Sequence, residues 1–350
     1  MSTSETYMMR CLELAKKGLP SAMPNPSVGA VLVYNNQIIG EGFTSPFGGN
    51  HGEVNCIQSV GNKELISKST LYVSLEPCSH TGKTPPCADL IVKNKIPKVV
   101  IGCVDTFSKV AGKGIQRLKE NGIEVEVGVL EKECRELNKR FFTFYEKNRP
   151  YIILKWAQTK DGFVAPMADK HEKDRWISGP KTNQFTHQLR AKEMAILVGK
   201  STVLADNPSL TTRNFPGKNP TRILFDRDLE IWNSKKSFAI FEPDTHTIIL
   251  NNVRNFIKNN IQGIKLDYSK DILPQLMRNL VQRNIQSLIV EGGTRTLQSF
   301  IDKNLWDESI VITSSIEFGS GVPSPDFSCL NFKLIKLGND EIRIYKNLDS

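Results

Sequence analysis

His51-Gly52-Glu53, Pro77-Cys78 and Pro86-Cys87 are the residues of this chain whose types and spacing suit chemistry. One imidazole and two thiolates hold Zn²⁺ and leave a fourth position for water, the mark of a catalytic site; four protein ligands close a structural one. Glu53, two residues past the histidine, is then the natural proton carrier. Zinc lowers the pKa of a bound water toward about 7. Glu53 takes that proton, the oxygen attacks a ring carbon bearing an exocyclic amine, and Glu53 returns the proton to the departing nitrogen. The competing reading is a closed zinc site with His80 as fourth ligand, to which a His-x-Glu pair brings no benefit. His171, His187 and His246 have no metal-like spacing.

The elements that must position these groups are legible around them. Helix N-termini favour thiolate, and His51 and Cys87 sit at the starts of helices predicted over 51–60 and 87–93. Cys78 follows a strand, Thr70–Leu75, and a Glu-Pro turn. The polar stretch SHTGKTPP between the cysteines carries Lys83, overhangs the site, and is stiffened on its return by Pro85-Pro86. A helix over 4–18, a hairpin of Val28–Tyr34 and Gln37–Gly42, a buried strand Lys98–Cys103, a helix Gly112–Asn121 and a strand Ile123–Val127 complete a three-layer α/β domain with a central sheet. Glu131–Lys147 reads as one helix with an aromatic face, ended before Pro150. The domains are therefore 1–147 and 148–350. In the second, strands at Tyr151–Ala157, Met194–Val198, Thr221–Phe225, Thr247–Leu250, Leu288–Val290 and Ser309–Ile312 alternate with helical segments, giving another α/β unit, and Ser320–Asp326 reads as a loop. Glu291-Gly292-Gly293-Thr294 follows an apolar strand and opens a helix. That geometry cradles phosphate, because glycines allow close approach and free N–H groups face an anion; a plain tight turn is the alternative.

Composition narrows the class. The 350 residues suit two domains, and 39% hydrophobic with 24% charged residues suits globular protein. No apolar run reaches the roughly 18 residues of a membrane span. The N-terminus MSTSETYMMRCLELAKKG reads as an amphipathic helix rather than a secretion signal, so the expected location is cytoplasmic. The net charge of +9 admits a nucleic-acid partner, but the lysines are scattered and a mild excess suits a phosphorylated substrate. Seven irregularly spaced cysteines argue against a disulfide framework and for a reducing compartment, and Cys56 and Cys103 lie in apolar stretches typical of core thiols.

Ser74–Leu90 (SLEPCSHTGKTPPCADL), with His51-Gly52-Glu53 upstream, resembles the deaminase half of the RibD-type bifunctional riboflavin-biosynthesis deaminase–reductases. The pattern as a whole is that of zinc nucleobase deaminases, and the long stretch between the cysteines sets it apart from cytidine and tRNA-adenosine deaminases. Pro24–Gly29 resembles the family's opening motif, and Ile101–Gly114 a later one in part. Lys155–Thr159 with Asp161-Gly162, Trp176–Pro180, Ala195–Leu210 and Val290–Gly293 resemble its reductase half.

The resemblance implies a cytidine-deaminase-like α/β/α domain followed by a dihydrofolate-reductase-like α/β domain that uses NADPH. It implies that Ala157, Trp176, Thr202, Asp206 and Gly293, Thr294, Arg295, Thr296, Leu297, Gln298 and Ser299 contact NADPH. Asp174, Arg190, Leu210, Arg213 and Glu291 face the reductase substrate, the arginines suiting a phosphate through their bidentate fork. Asn25, Lys83 and Asp105 contact the deaminase substrate, and Lys155 is a proton source for reduction. The implied reactions are deamination of 2,5-diamino-6-ribosylamino-4(3H)-pyrimidinone 5′-phosphate and NADPH-dependent reduction of its ribosyl group to ribityl. The expected partners are that small molecule and further copies of the chain, as dimer or tetramer, with neither nucleic acid nor membrane.

Three places depart from the family pattern: Thr44 where a histidine is usual, Asp105-Thr106-Phe107-Ser108 in place of Asp-Pro-Asn-Pro, and a longer segment from Asp161 to Trp176 that brings in Asp174. Other readings stay open: a nucleoside or nucleic-acid deaminase with an accessory domain, a zinc-stabilised RNA-binding scaffold, and an enzyme with one active half.

Overall fold

A computed structural model describes residues 2–79, 85–107, 111–167 and 177–348. The chain forms two compact units, Met1–Asn148 and Arg149–Ser350.

In the first unit, α1 (Thr3–Gly18) is opened by a Ser2–Glu5 capping box. Next come β1 (Gly29–Tyr34), β2 (Gln37–Phe43), α2 (Gly52–Ser59), β3 (Thr70–Leu75), α3 (Cys87–Lys93), β4 (Lys98–Cys103), α4 (Lys113–Glu120), β5 (Glu124–Val127), α5 (Glu131–Leu137) and α6 (Lys139–Lys147). The sheet order is β2-β1-β3-β4-β5. The hairpin β1–β2 and the pair β1–β3 are antiparallel, while β3, β4 and β5 run parallel. β1, β3 and β4 are buried along nearly every residue, on both faces. Helices must therefore cover both sides, and the apolar runs of these strands are the cause. Gly29 is required where α1 crosses β1, since a Cβ there would lie 1.8 Å from the Cys11 carbonyl oxygen.

The single helix expected over Glu131–Lys147 is in fact two, broken at Asn138. The side chain of Asn138, itself buried, accepts from the Ser27 amide (2.8 Å) and donates to the Ser27 carbonyl (2.9 Å). That long-range pairing fixes the break, and local periodicity does not reveal it. Asn138→Ala orphans both backbone groups, so urea unfolding should show a loss of about 2–4 kcal/mol; an unchanged midpoint would remove Asn138 as the cause.

The second unit comprises β6 (Tyr151–Gln158), β7 (Phe163–Pro166), α7 (Pro180–Ala191), β8 (Ala195–Gly199), α8 (Lys200–Asp206), β9 (Thr221–Phe225), β10 (Thr247–Asn251), β11 (Phe256–Lys258), β12 (Ile261–Lys265), α9 (Ile272–Gln282), β13 (Ser287–Val290), α10 (Thr294–Ile301), β14 (Glu308–Thr313), β15 (Gly321–Pro323), β16 (Phe332–Leu337) and β17 (Asp340–Lys346). Ten strands form one sheet in the order β11-β12-β10-β9-β8-β13-β6-β14-β17-β16. From β12 to β14 all neighbours are parallel, and β11, β17 and β16 join antiparallel at the edges. The segment 320–326, expected as loop, contains β15, which pairs with β7. β15 is too short to carry a periodic signal, and its partner is remote in sequence.

Candidate active sites

His51 is the N-cap of α2, and its side chain makes no capping hydrogen bond, which leaves the ring available. Gly52 is forced by packing, since a Cβ would lie 2.5 Å from the Val28 carbonyl oxygen. The apolar run of β3 ends before Glu76-Pro77 and delivers Cys78, while Cys87 is the first residue of α3. His51 Nδ1 lies 3.6 Å from Cys78 Sγ and 3.3 Å from Cys87 Sγ. The three ligand atoms all fall within 4.8 Å of one another. Tetrahedral zinc with ordinary Zn–S and Zn–N bonds needs S···N separations of about 3.5 Å, so the donor set fits the ion without rearrangement.

The Cys78 thiol is drawn down to about 4 by the Cys87 side chain and, against burial, by His51 and the Cys87 amide, which donates to it at 3.3 Å. It is the first of the pair to ionise. Glu53 is buried, and among the described residues its Oε2 has no hydrogen-bond partner. Burial, then the charge of Cys78, pushes its carboxyl up to about 7. A buried carboxyl with a vacant oxygen beside a metal-binding triad is equipped to exchange a proton with a small polar molecule.

Asn25 is half-buried, just before the buried Ser27. Asp105 is buried; its carboxylate accepts from the Phe107 amide at 2.7 Å, and burial pushes its pKa up to about 6. Thr44 is turned inward, where its hydroxyl accepts from the Val28 amide at 2.9 Å. Cys56 and Cys103 are core residues, as expected. Lys83 and the alternative ligand His80, like Asp174 and Trp176 of the second unit, lie outside the described residues. Glu76, read from sequence only as part of a turn, is a buried carboxylate bound by main-chain amides.

In the second unit two groups of residues converge on the carboxyl ends of the central parallel strands, where open α/β sheets bind ligands. The first surrounds the start of α10. Gly292 is required, since a Cβ would come within 2.9 Å of the Val198 backbone, and Gly293 has φ 58. Thr202 of α8 and Thr296 of α10 both lie within 4.0 Å of where a Gly293 Cβ would be, and Gly199 also abuts Thr296. These glycines open a cradle between two helix starts that any side chain would fill, which fits a dinucleotide phosphate. Ala157 is half-buried near the end of β6. Asp206, the last residue of α8, is exposed. Thr294 donates to the Pro323 carbonyl (2.6 Å), Arg295 is exposed, and Ser299 donates to Thr296 (2.7 Å). Leu297 packs into the core and offers only its main chain. Gln298 is engaged with Asp302 and the main chain of Asp326.

The second group is a charge cluster. Arg190 of α7 binds Glu291 with both arms of its guanidinium, at 2.9 and 2.7 Å, and reaches the Thr211 carbonyl at 3.3 Å. Lys155 of β6 approaches the same carboxylate at 3.7 Å. Burial works to raise the Glu291 carboxyl, but Arg190 and Lys155 outweigh it and hold it at about 2. Burial lowers the Lys155 ammonium. Arg213 is exposed and hydrogen-bonded to Ser209 and Thr211, while Leu210, with φ 55, buries its side chain. His187, which spacing left unassigned, is buried one turn before Arg190; burial, then Arg190 and Arg213, lower its pKa.

Comparison with known proteins places the two units in two families. The family model of the RibD C-terminal domain matches residues 150–342, and that of the cytidine and deoxycytidylate deaminase zinc-binding region matches residues 1–103. The riboflavin biosynthesis protein RibD of Aquifex aeolicus is 37% identical over 353 residues, covering 98% of each chain. That of Escherichia coli is 34% identical, over 90% of this chain and 89% of its own. The crystal structure of the Thermotoga maritima diaminohydroxyphosphoribosylaminopyrimidine deaminase/5-amino-6-(5-phosphoribosylamino)uracil reductase superposes with a TM-score of 0.86 at 36% identity, covering 98% of each chain.

Fold and sites define a two-domain enzyme in which a zinc-dependent deaminase precedes an NADPH-dependent reductase. The chain belongs to the RibD family of riboflavin-biosynthesis proteins and carries both of its activities. It acts on a small molecule, and none of the described helices is long and apolar enough to cross a membrane.

Proposed function

We propose that the first unit releases ammonia from 2,5-diamino-6-ribosylamino-4(3H)-pyrimidinone 5′-phosphate, and that the second reduces the ribosyl group of the product to ribityl. The observation that carries the first step is the convergence of His51 and two thiols beside a buried carboxylate oxygen that has no partner among the described residues. His51, Cys78 and Cys87 would hold zinc, which when bound would supply Lewis acidity. Glu53 takes a proton from the attacking water and returns it to the departing amine nitrogen, a double duty that suits a carboxyl poised near neutrality. Asn25, Asp105 and Lys83 orient the pyrimidine and its ribosyl phosphate.

In the second unit NADPH supplies the hydride. The Gly292-Gly293 cradle with Thr202, Thr294 and Thr296 receives its phosphates, and Ala157, Trp176 and Asp206 complete its binding. Arg295, Gln298 and Ser299, with the main chain of Leu297, extend that contact along α10. Lys155, whose ammonium is made more acidic by burial, donates the balancing proton. The fork of Arg190 is already engaged by Glu291. We therefore assign the substrate phosphate to Arg213, with the Leu210 main chain and Glu291 on the same side; Asp174, proposed with them for the substrate, lies outside the described residues.

One assay tests both halves: the diaminopyrimidinone is supplied, and ammonia release is followed together with NADPH oxidation at about 340 nm. Chelation should lower ammonia release at least about 100-fold and leave NADPH oxidation unchanged when the deaminated substrate is given instead. Loss of both signals would overturn the division of labour. The free cysteines fit a cytoplasmic setting. The apolar Phe332 and Leu334, exposed on the edge strand β16, support a homo-oligomer, dimer or tetramer.

A further inference from the structure

We infer that Glu76 is a positioning residue of the deaminase, locking the turn that presents Cys78 to the loop that opens at Asp105. Substrate fit at the zinc site then depends on a side chain that touches neither metal nor substrate.

Glu76 is 3% exposed, and its own amide donates to the Cys103 carbonyl at 3.0 Å, at the end of β4. Among the described residues, its carboxylate accepts from four main-chain amides. Oε2 takes Asp105 (3.2 Å) and Gly112 (3.0 Å), and Oε1 takes Gly114 (2.9 Å) and Ile115 (3.2 Å). Two of these donors lie in the first turn of α4, where unpaired amides and the helix dipole favour an anion. The contact is close: a Cβ on Gly114 would lie 2.0 Å from the Pro77 carbonyl oxygen and 3.1 Å from Glu76 Oε1. The start of α4 is therefore seated on the Glu-Pro turn that leads into Cys78. From the other side, Asp105 accepts from Phe107, whose ring packs 4.7 Å from that of Tyr145. A doubly charge-assisted carboxylate is a stiff joint, and here it joins a metal ligand to Asp105. The inference rests on the reading that Asp105 faces the substrate.

Glu76→Gln keeps the shape of the side chain but turns an amide group toward two of the four donors. At full zinc occupancy the deaminase KM is expected to rise about tenfold, with kcat held within about threefold, and both reductase constants unchanged. Amide hydrogen exchange across 105–107 and 111–115 should quicken about tenfold or more. Glu76→Asp, which keeps the charge but falls short by one methylene, should lie between. Faster exchange with an unchanged KM would reduce Glu76 to a structural tie and overturn the inference, as would unchanged exchange. A fall in kcat that tracks lost zinc would also overturn it. If the wild-type enzyme releases no ammonia from this substrate, the substrate reading fails, and the exchange difference still decides the joint.

Discussion

Glu53→Gln is expected to cut ammonia release by a factor of about 10²–10⁴ in a protein that still binds zinc. The substitution keeps volume and leaves His51, Cys78 and Cys87 in place. What it removes is the ability of a buried oxygen, without a partner among the described residues, to accept a proton and give it back. Neither His51 nor the thiols could take over while they hold zinc, which their convergence suits. Three readouts separate this role from a structural one: zinc per chain, ammonia release at saturating substrate, and NADPH oxidation on the deaminated substrate. Only the second should fall. A variant that deaminates at near the wild-type rate would show that another group carries the proton.

The second large effect is expected at Arg190. Arg190→Met removes the fork that binds Glu291 and leaves that carboxylate the more distant Lys155 as its ion-pair partner among the described residues. Breaking a buried pair from one side costs about 3–5 kcal/mol, because the remaining charge stays desolvated. Part of that cost should appear as lower stability of the second unit in thermal unfolding. The rest should appear in catalysis: with Arg190 gone, Lys155 alone faces Glu291, its ammonium is held more tightly, and reduction should slow about 100-fold or more. Arg190→Lys restores charge without the bidentate geometry and should recover only part of the loss. Ammonia release should be untouched in both variants. Reduction at an unchanged rate in Arg190→Met would remove this cluster from the reaction.

The deaminase centre was legible in the sequence because its parts are local. His51 and Glu53 share one helix start, and each cysteine follows a proline at an element boundary, so residue type and spacing carried the assignment of ligands and proton carrier. The central strands were legible for a related reason: β3, β4 and β8 are largely apolar runs, and burial on both faces writes itself into composition. The edges of the larger sheet were not. β16 and β17 mix charged residues with apolar ones, exposed at Phe332 and Leu334 and buried at Ile342 and Tyr345, a weak signal that the pairing of β17 with β14 and of β16 with β17 turns into strand. The reductase site was legible only as a set of motif fragments; nothing in their spacing says that Arg190 closes on Glu291 rather than on a phosphate.

The sequence by itself pointed to the candidate metal ligands and the candidate proton carrier, and it set the order of the two halves and the central strands, because each shows in residues close together in the chain. Only the tertiary structure decided that Asn138 splits a helix, that Glu76 gathers four amides, and that Lys155, Glu291 and Arg190 share one buried charge cluster. Those features join groups far apart in sequence, and desolvation on folding makes such polar contacts strong; no local pattern records which donor will meet which acceptor.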